Sequence, residues 1–461
     1  MSKLNASDIQ GFALRGYGMP LARYVFLQLG EPERARTLIG KLLPTVTTGQ
    51  RWDQGKPRST LNIAFSFRGL MQLDLPLATL VSFPVEFQEG MKARGGILGD
   101  TGANGSRHWN SVWHDGDKVH LWICIHALVP MEIESRYAEL ERLLEETGGA
   151  TILQYQDAGS LVIDGMPTNK EHFGYTDGFG NPDYLGIERK SQPGQGKLMK
   201  DGSWAPLATG ELLLGYADEA GELPVAPVPH LLAANGTFMV YRKLQQNVVA
   251  FREHLERWSA VYPGGKEKLA SKFMGRWRDG TPVELSADRP DWSIVQDPER
   301  STNFTYGDDL DGTKCPIGGH IRRANPRDTF GFNGALVNRR RITRRGLTYG
   351  SYVAEDQPVS DEERGIIFIV LNACISRQFE FIQQQWMEYG NDAHLGNDKD
   401  LITGNHGGAG KSVIQGDTTR ENPPLICDKL TNFVELKGGD YFFLPSITAL
   451  GMIAFGIVDP R

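Results

Sequence analysis

One carboxylate of the chain lies between closely spaced glycines. The segment EHFGYTDGFGNPDY, from Glu171 to Tyr184, contains Gly174, Asp177 and Gly178 as a Gly-x-x-Asp-Gly pattern. Glycine lets the backbone pass close to a flat or bulky group, so the pattern leaves a carboxylate facing whatever binds there. Such a carboxylate can move a proton. An Asx turn without a chemical role is the alternative that the same residues allow.

A second segment places a histidine directly after two glycines. It reads CPIGGHIRRANPRD, from Cys315 to Asp328, and the histidine is His320. A neutral imidazole binds metals, and a lone histidine without a second ligand nearby in sequence fits haem better than zinc, because the porphyrin supplies four nitrogens. The alternative is an exposed histidine in a polar loop.

The third segment is rich in arginine. NRRRITRRGLTYG, from Asn338 to Gly350, has five arginines in the seven residues from Arg339 to Arg345. Such a run is typical of a solvated face or an anion-binding patch. Arginine also suits a peroxide site, because it keeps its charge and stabilises negative charge on oxygen without giving up a proton.

Taken in this order, the three segments resemble those of the dye-decolourising peroxidases, specifically the longer cytoplasmic bacterial type. The resemblance covers nearly the whole chain and is also carried by DIQGFALRGYG near the start, by RRGLTYG and by ISRQFEFIQQQW. It implies an α+β fold in which two ferredoxin-like halves with antiparallel sheets form a dimeric α+β barrel-like arrangement.

The resemblance also implies roles for single residues. Asp177 takes the place of the distal acid/base, Arg344 that of the distal arginine, and His320 that of the proximal ligand to the iron of haem b, with one haem per chain. Glu380 is our candidate for the acidic partner of the second nitrogen of His320. The residues expected to contact the cofactor are His320, Gly174, Gly178, Arg322 and Glu380.

The function that the resemblance implies is a peroxidase. It would reduce hydrogen peroxide to water and oxidise dyes, phenols or other aromatic one-electron donors. A haem carrier, a haem sensor or a protein that releases iron from haem could share the fold and His320, and a binding module without a cofactor is a third alternative. The enzyme is favoured because a carrier has no need of Asp177 and Arg344 beside the ligand.

The pattern of apolar residues predicts the elements that position these groups. In the first half, alternating and helical spacings give the order β-α-β-β-α-β, which is the ferredoxin-like signature. The predicted strands and helices are Tyr24–Leu29, Ala35–Leu42, Leu61–Phe67, Val119–Ile125, Met131–Glu146 and Thr151–Tyr155.

The second half repeats this theme less clearly, and we place the boundary so that the halves are residues 1–205 and 206–461. A long ordered insertion is expected between Arg276 and Gly350, where little periodicity survives. The predicted strands are Leu212–Tyr216, Phe238–Tyr241, Gly365–Leu371 and Tyr441–Leu444, with helices after Asn247 and over QFEFIQQQWMEYG.

Composition limits the classes of partner. The chain has 461 residues, 40% of them hydrophobic, and a net charge of -7 without a basic block. A sizeable core is therefore expected, whereas nucleic acid and membrane lipids are not expected partners. The longest apolar stretch, Ile366–Leu371, is far too short to span a bilayer. A homo-oligomer is compatible with the sequence.

The cysteines and the N-terminus bear on the compartment. Cys124, Cys315, Cys374 and Cys427 show no CxxC spacing, which argues against a zinc site, an iron-sulfur cluster or a disulfide scaffold. The N-terminal sequence MSKLNASDIQ has neither an apolar leader region nor twin arginines. A cytoplasmic location is therefore predicted.

Overall fold

A computed structural model describes residues 4–188, 191–416 and 423–459. The first half has the predicted order of strands and helices, and its sheet order is β4-β1-β3-β2 with antiparallel neighbours. Its elements are β1 (Leu21–Leu29), α1 (Pro32–Leu42), β2 (Ser59–Phe65), β3 (Leu121–Ala127), α2 (Pro130–Thr147) and β4 (Ala150–Gly159).

The second half has the same strand arrangement. Its sheet order is β6-β8-β5-β9, and β7 also pairs with β8. In each half, the first and last strands are thus neighbours in the sheet, as they are in a ferredoxin-like fold. Its elements are β5 (Thr237–Gln246), α3 (Val248–Ser259), α4 (His320–Ala324), β6 (Thr343–Arg344), β7 (Leu347–Tyr349), β8 (Gly365–Asn372), β9 (Val434–Leu444) and α5 (Ile447–Phe455).

The two halves join at both ends of the sheet. β2 and β9 pair at Phe65 and Phe443, which makes one sheet of nine strands. At the other end β4 and β7 are in contact, and the Thr348 hydroxyl donates to the Gly159 carbonyl at 2.5 Å. The sheet therefore curves into a barrel-like form. The α+β fold class with antiparallel strands is confirmed, whereas the boundary between residues 205 and 206 stays a prediction.

Side chains alternate between two cores along the strands. Leu121, Ile123 and Ile125 of β3 face a core that also contains apolar residues of α1, α2 and α5. Trp122 and Cys124 face the opposite core, which is rich in aromatic rings. Because neighbouring residues of a strand point to opposite faces, both faces of this strand are buried.

The helix ends follow local sequence signals. α1 begins with Pro32, whose fixed φ suits the first helical position. α2 begins with Pro130 and ends at Gly148, which adopts a left-handed conformation with φ 58°. These signals explain why the first half is the more regular one.

Two sequence-based predictions for the second half need correction. Leu212–Tyr216 is a buried series of turns and not a strand, because its leucines pack into the core from a loop that bends at Gly215. The segment around QFEFIQQQW is helical, but it has the wider π-helical turn over Ser376–Glu380 and Ile382–Met387. Such wide turns are frequent at functional sites.

The remaining described elements are short. The insertion from Arg276 to Gly350 is ordered and consists mostly of loops, as predicted. In the described part of the chain we find no helix with the length and apolar character needed to cross a membrane. Further helices are Gly11–Leu14, Phe67–Gln72, Leu77–Leu80, Val85–Glu89, Gly95–Leu98, His230–Ala233, Gly265–Met274, Trp292–Gln296 and Ala335–Asn338. Three two-stranded sheets pair Val162–Ile163 with Met166–Pro167, Lys197–Leu198 with Trp204–Ala205, and Gly410–Ile414 with Leu425–Leu430.

Candidate active site

The loop that carries Asp177 is held by a buried carboxylate. Glu171 accepts the backbone N–H groups of Phe173 and Tyr175, both at 2.9 Å, and the side-chain amide of Gln246. These bonds fold the chain back before Asp177. The shape of the loop is therefore fixed independently of Asp177, whose side chain stays available for chemistry.

The two glycines of the motif have different roles. A Cβ atom at Gly178 would meet no atom within 4 Å, so this residue borders open space, and its φ of 101° favours glycine. A Cβ atom at Gly174 would lie 2.5 Å from Arg278 Nη1. Gly174 therefore allows close packing against Arg278, and its contact with the cofactor stays a prediction.

Asp177 and Arg344 form a direct ion pair. Arg344 Nη1 lies 2.9 Å from Asp177 Oδ1 and 3.1 Å from Oδ2, and Arg344 Nη2 donates to the Phe179 carbonyl at 2.9 Å. The backbone N–H of Arg344, on β6, donates to Asn181 Oδ1 at 2.9 Å. The structure thus brings together two residues that are 167 positions apart in sequence.

Both members of this pair lie deep in the protein but are reached by open space. Asp177 retains a side-chain exposure of 49% and Arg344 one of 36%. Both line a cavity of about 1140 Å³, whose other walls include residues of the N-terminal segment. The side chain of His320 keeps 25% exposure. Deep groups with this much exposed surface form the walls of a binding site.

The ion pair keeps Asp177 ionised. Burial raises the pKa of this carboxyl. Arg344 and the backbone N–H of Gly178, which lies 2.6 Å from Oδ1, lower the pKa by more than burial raises it, so it lies below its ordinary value. The charge of His320 also acts on Asp177, so the two groups are electrostatic neighbours. The carboxylate form is therefore available at acidic pH.

The partner of His320 is Asp400, not Glu380. His320 Nδ1 lies 3.0 Å from Asp400 Oδ1, at the start of α4. Burial lowers the pKa of the imidazole, but the charge and hydrogen bond of Asp400 outweigh it and raise the pKa. Among the described residues, no side chain or backbone group forms a hydrogen bond with Nε2 of His320. This nitrogen is thus left for another ligand.

Asp400 is fixed by its own turn. Its Oδ1 also accepts the N–H groups of Ile402 at 3.1 Å and Thr403 at 2.7 Å, and the Thr403 hydroxyl at 2.9 Å. Burial raises the pKa of this carboxyl, but His320, Arg323 and the Thr403 N–H together outweigh burial and hold the pKa well below its ordinary value. The sequence offered only the turn signal of an Asp three residues before a Thr, which is common to many loops.

Glu380 has a different environment from the one predicted. It forms an ion pair with the Arg94 guanidinium, including a bond of 2.7 Å from Nη2, and accepts the Tyr441 hydroxyl at 2.8 Å. It is buried in the core and joins the π-helical segment to the first half. The prediction that it supports His320 and contacts the cofactor is wrong.

Arg322 is likewise engaged by protein groups. Its guanidinium bonds to Asp309 Oδ2 at 3.1 Å, to the Asp309 carbonyl at 2.7 Å and to the Cys315 carbonyl at 2.6 Å. It also lies 4.6 Å from the Tyr306 ring. Most of its donors therefore serve the fold, and the binding of the cofactor by Arg322 stays a prediction.

Among the described residues, four further arginines are buried without a carboxylate partner: Arg323, which donates to the carbonyls of Trp386, Tyr389 and Asp398, and a group of three. Arg276, Arg327 and Arg341, which we call the buried arginine group, are 6%, 9% and 7% exposed. Their acceptors among the described residues are backbone carbonyls, such as Gly280 for Arg276, Phe304 for Arg327 and Gly180 for Arg341. In residues 4–188, 191–416 and 423–459, no Asp or Glu oxygen lies within 4.0 Å of these guanidinium groups.

The buried arginine group adjoins both sides of the site. Arg276 lies 4.5 Å from the ring of Phe179, whose carbonyl binds Arg344, and residue 275 packs against Ile321 of α4. Burial, and less strongly the neighbouring Arg327, lower the pKa of Arg276 to about 9. Buried cations normally have an anionic partner. Arg327 and Arg341 lie in two segments noted from the sequence, but nothing local to them predicted that they and Arg276 would be buried.

Comparison with known proteins finds relatives that match nearly the whole chain. No family model matches the chain. The chain is 29% identical over 473 residues to Peroxidase 2 of Mycetinis scorodonius, a match that covers 97% of this chain and 87% of that protein.

Solved structures give the same result for the fold. An ancestral D-type dye-decolourising peroxidase superposes with a TM-score of 0.83 at 28% identity, covering 98% of this chain and 99% of that one. A dye-decolourising peroxidase in complex with 2,6-dimethoxyphenol has a TM-score of 0.82 at 26% identity, covering 98% and 100%. The similarity therefore extends over both halves of the chain.

Proposed function

We infer that the chain is a haem-dependent peroxidase of the dye-decolourising family, which reduces hydrogen peroxide and oxidises dyes, phenols or other one-electron donors. One peroxide takes up two electrons and two protons from two donor molecules and becomes two waters, and each donor leaves as a radical. The observation that carries this function is the Asp177–Arg344 pair at the wall of a deep cavity, with His320 as its electrostatic neighbour.

The residues present fit haem b. His320 offers Nε2, and the bond from Nδ1 to Asp400 fixes the ring orientation, as is usual for histidines that bind metals. The buried arginine group offers guanidinium donors that match the carboxylates of the haem propionates. Haem, when bound, supplies the iron and porphyrin that take up the oxidising equivalents of peroxide.

Asp177 is positioned to carry a proton. Among the described residues, Oδ1 accepts two donors, Arg344 Nη1 and the Gly178 N–H, whereas Oδ2 accepts only Arg344 Nη1 at 3.1 Å. Oδ2 therefore has the freer lone pair. It would take the proton from one oxygen of peroxide and return it to the other oxygen, which leaves as water.

Arg344 would stabilise the charge that develops during this transfer. Its guanidinium is anchored by Asp177 and by the Phe179 carbonyl, and its backbone by Asn181. A permanently charged group held in this way costs no reorganisation when negative charge appears on the leaving oxygen. The two residues thus divide proton transfer and charge stabilisation between them.

The test is turnover by the protein loaded with haemin. We expect wild type to bind haemin, to show a Soret band and to oxidise 2,6-dimethoxyphenol continuously when peroxide is supplied. His320→Ala should lose haem or the normal position of its Soret band. Wild type that binds haemin but only bleaches with peroxide would contradict the peroxidase function and support haem carriage or sensing. A protein that stays colourless with haemin would exclude both.

The compartment and the subtype are further proposals. We propose a cytoplasmic protein, because Cys124, Cys315, Cys374 and Cys427 are all free thiols. Cell fractionation tests this location. The narrower assignment to the long bacterial type stays a prediction, because the sequence relative described above comes from the fungus Mycetinis scorodonius.

A homo-oligomer also stays a prediction, and sedimentation of the haem-loaded protein would test it.

A further inference from the structure

The cavity beside Asp177 and Arg344 extends to the N-terminal segment. Its walls there include Arg15, Tyr17 and the loop from Gly49 to Arg51. With a volume of about 1140 Å³ it is large enough for an aromatic donor. The groups at this end of the cavity can therefore select among donors before oxidation.

Arg15 is a cation of the cavity wall that has unmet hydrogen-bonding capacity. Its Nη2 donates to the carbonyls of Gly49 and Gln50, but its buried Nε has no acceptor. For Nη1 we find no hydrogen bond within the described ranges, and no carboxylate oxygen there lies within 4.0 Å of the guanidinium. Arg15 thus keeps at least one donor for a ligand.

The position of Arg15 is fixed by an aromatic ring. Its guanidinium lies 4.5 Å from the centroid of Trp52, and Trp52 in turn packs against Tyr17 at 5.8 Å. Burial, and less strongly the nearby charge of Arg51, lower the pKa of Arg15, although Tyr17 opposes this. Because the guanidinium is partly desolvated and held in place, it would gain more from an anion than a mobile surface arginine does.

A second arginine of the same wall has different surroundings. Arg51 Nε lies 3.4 Å from Glu188 Oε2, and its side chain is 74% exposed. Its charge is therefore already balanced and screened by water. Asp177 is likewise balanced by Arg344 further inside the cavity. Arg15 and Arg51 thus form a natural pair for comparison, equal in charge and location but different in partners.

We propose that Arg15, supported by Trp52, binds the carboxylate or sulfonate of an aromatic donor and makes this cavity selective for anionic over neutral donors. The proposal rests on the proposed peroxidase function, since it names the substrate class of the same site. Arg15 is a specificity-determining residue in this account, and it takes no part in peroxide cleavage at Asp177.

Two donors that differ by one carboxylate provide the test. 2,6-Dimethoxyphenol is neutral, and 4-hydroxy-3,5-dimethoxybenzoate is the same phenol with a carboxylate opposite the hydroxyl. For Arg15→Gln in the haem-loaded protein, we expect KM for the benzoate to rise about tenfold, the effect of one charge-assisted hydrogen bond. KM for 2,6-dimethoxyphenol and kcat for both donors should stay within about twofold. Arg51→Gln, the matched control, should leave both KM values within about twofold.

Other outcomes would overturn the proposal. An equal rise of KM for both donors would show that Arg15 shapes the cavity without recognising charge, and unchanged KM values would show that it contacts neither donor. Arg15→Lys keeps the charge and should retain most of the preference, so it serves if Arg15→Gln folds poorly. If Arg15→Lys loses the preference as completely as Arg15→Gln, charge recognition is excluded.

The proposal can fail separately from the peroxidase function. If the haem-loaded wild type oxidises neither donor, the proposed peroxidase function is wrong. The role of Arg15 is then tested by measuring the binding of the two donors. In equilibrium dialysis, wild type should bind the benzoate more tightly than 2,6-dimethoxyphenol, and Arg15→Gln should remove the difference. Equal binding of the two compounds by wild type would reject the role of Arg15 whether or not turnover occurs.

Discussion

Two aspartates serve the two sides of the candidate site, and their surroundings are opposite. The side chain of Asp177 is 49% exposed in a cavity and has one charged partner, Arg344. Asp400 is fully buried, and its Oδ1 accepts bonds from His320, Ile402 and Thr403. A carboxylate that carries protons must be reachable, whereas one that orients a ring must be fixed. The same side chain can therefore do two jobs, and its environment decides which.

The largest effect should come from Asp177. Asp177→Asn keeps the shape of the side chain but removes its basicity, so peroxide cleavage should slow by about 10²- to 10⁴-fold. Haem content and the resting Soret band should stay normal, because Asp177 does not hold the cofactor in this account. Stopped-flow absorbance with peroxide measures the rate. A variant that cleaves peroxide at the wild-type rate would remove the distinction between the two aspartates.

Arg344 tests the other half of the distal pair. Arg344→Leu removes the charge that stabilises the leaving oxygen, and we expect the same rate to fall by about 10²- to 10³-fold. Haem should be retained. A loss of haem with an unchanged rate per bound haem would instead place Arg344 among the cofactor-holding residues. Arg345→Leu, the adjacent substitution, controls for the loss of one positive charge near the cavity.

Asp400 should affect the cofactor first. In Asp400→Asn, His320 loses the anion that orients its ring, and haem affinity should fall by about 10- to 100-fold. Transfer of haem to an apoprotein acceptor measures this change. Glu380→Gln is the comparison, since Glu380 was the partner predicted from sequence. Because the bonds of Glu380 go to Arg94 and Tyr441, this substitution should lower the haem affinity of the folded protein less than Asp400→Asn does. A larger loss of haem affinity in Glu380→Gln than in Asp400→Asn would instead support Glu380 as the partner of His320.

The buried arginine group should recognise the haem carboxylates. Wild type should prefer haemin to its dimethyl ester, and Arg327→Gln should reduce this preference about tenfold by removing one charge-assisted bond. Spectroscopic titration with both compounds gives the ratio. Arg322→Gln is the comparison, because the bonds of Arg322 go to Asp309 and Cys315. An equal loss of preference in Arg322→Gln would show that the sequence-based assignment was right.

The smallest expected effect is the change in the rate of dye oxidation with pH while Asp177 stays ionised. Because the pKa of Asp177 lies below its ordinary value, the carboxylate persists as pH falls through ~3.9, and dye oxidation should be fastest at acidic pH. The stability from its pairing with Arg344 is likewise present above ~3.9 and is lost as pH falls through the lowered pKa. An activity maximum above neutrality would contradict the role of Asp177.

The first half could be predicted from sequence because its signals are local. Alternating strands, Pro32, Pro130 and Gly148 each act within a few residues, and together they define a ferredoxin-like order. The second half carries a long insertion between its strands, so its pairing depends on distant contacts. Leu212–Tyr216 shows the consequence, because an apolar run was buried by a loop and not by a strand.

The site was predictable to the extent that chemistry resides in short motifs. Asp177, His320 and Arg344 came from segments that resemble a family, and the structure brings Asp177 to Arg344. Asp400 and Arg276 lie outside these segments, and the burial of Arg327 and Arg341 within them could not be predicted. Their roles arise from burial and from partners far away in sequence. The local sequence around an Asp in a turn or an Arg in a loop does not predict that the residue will be buried.

The most direct test of this account is a single mixing experiment. Wild type reconstituted with haemin is mixed with one equivalent of hydrogen peroxide, and the Soret band is followed by stopped flow. We predict a rapid shift of the band and a return to its starting position when two equivalents of a reducing dye are added, because peroxide holds two oxidising equivalents. A band that only fades, without return, would contradict a peroxidase cycle.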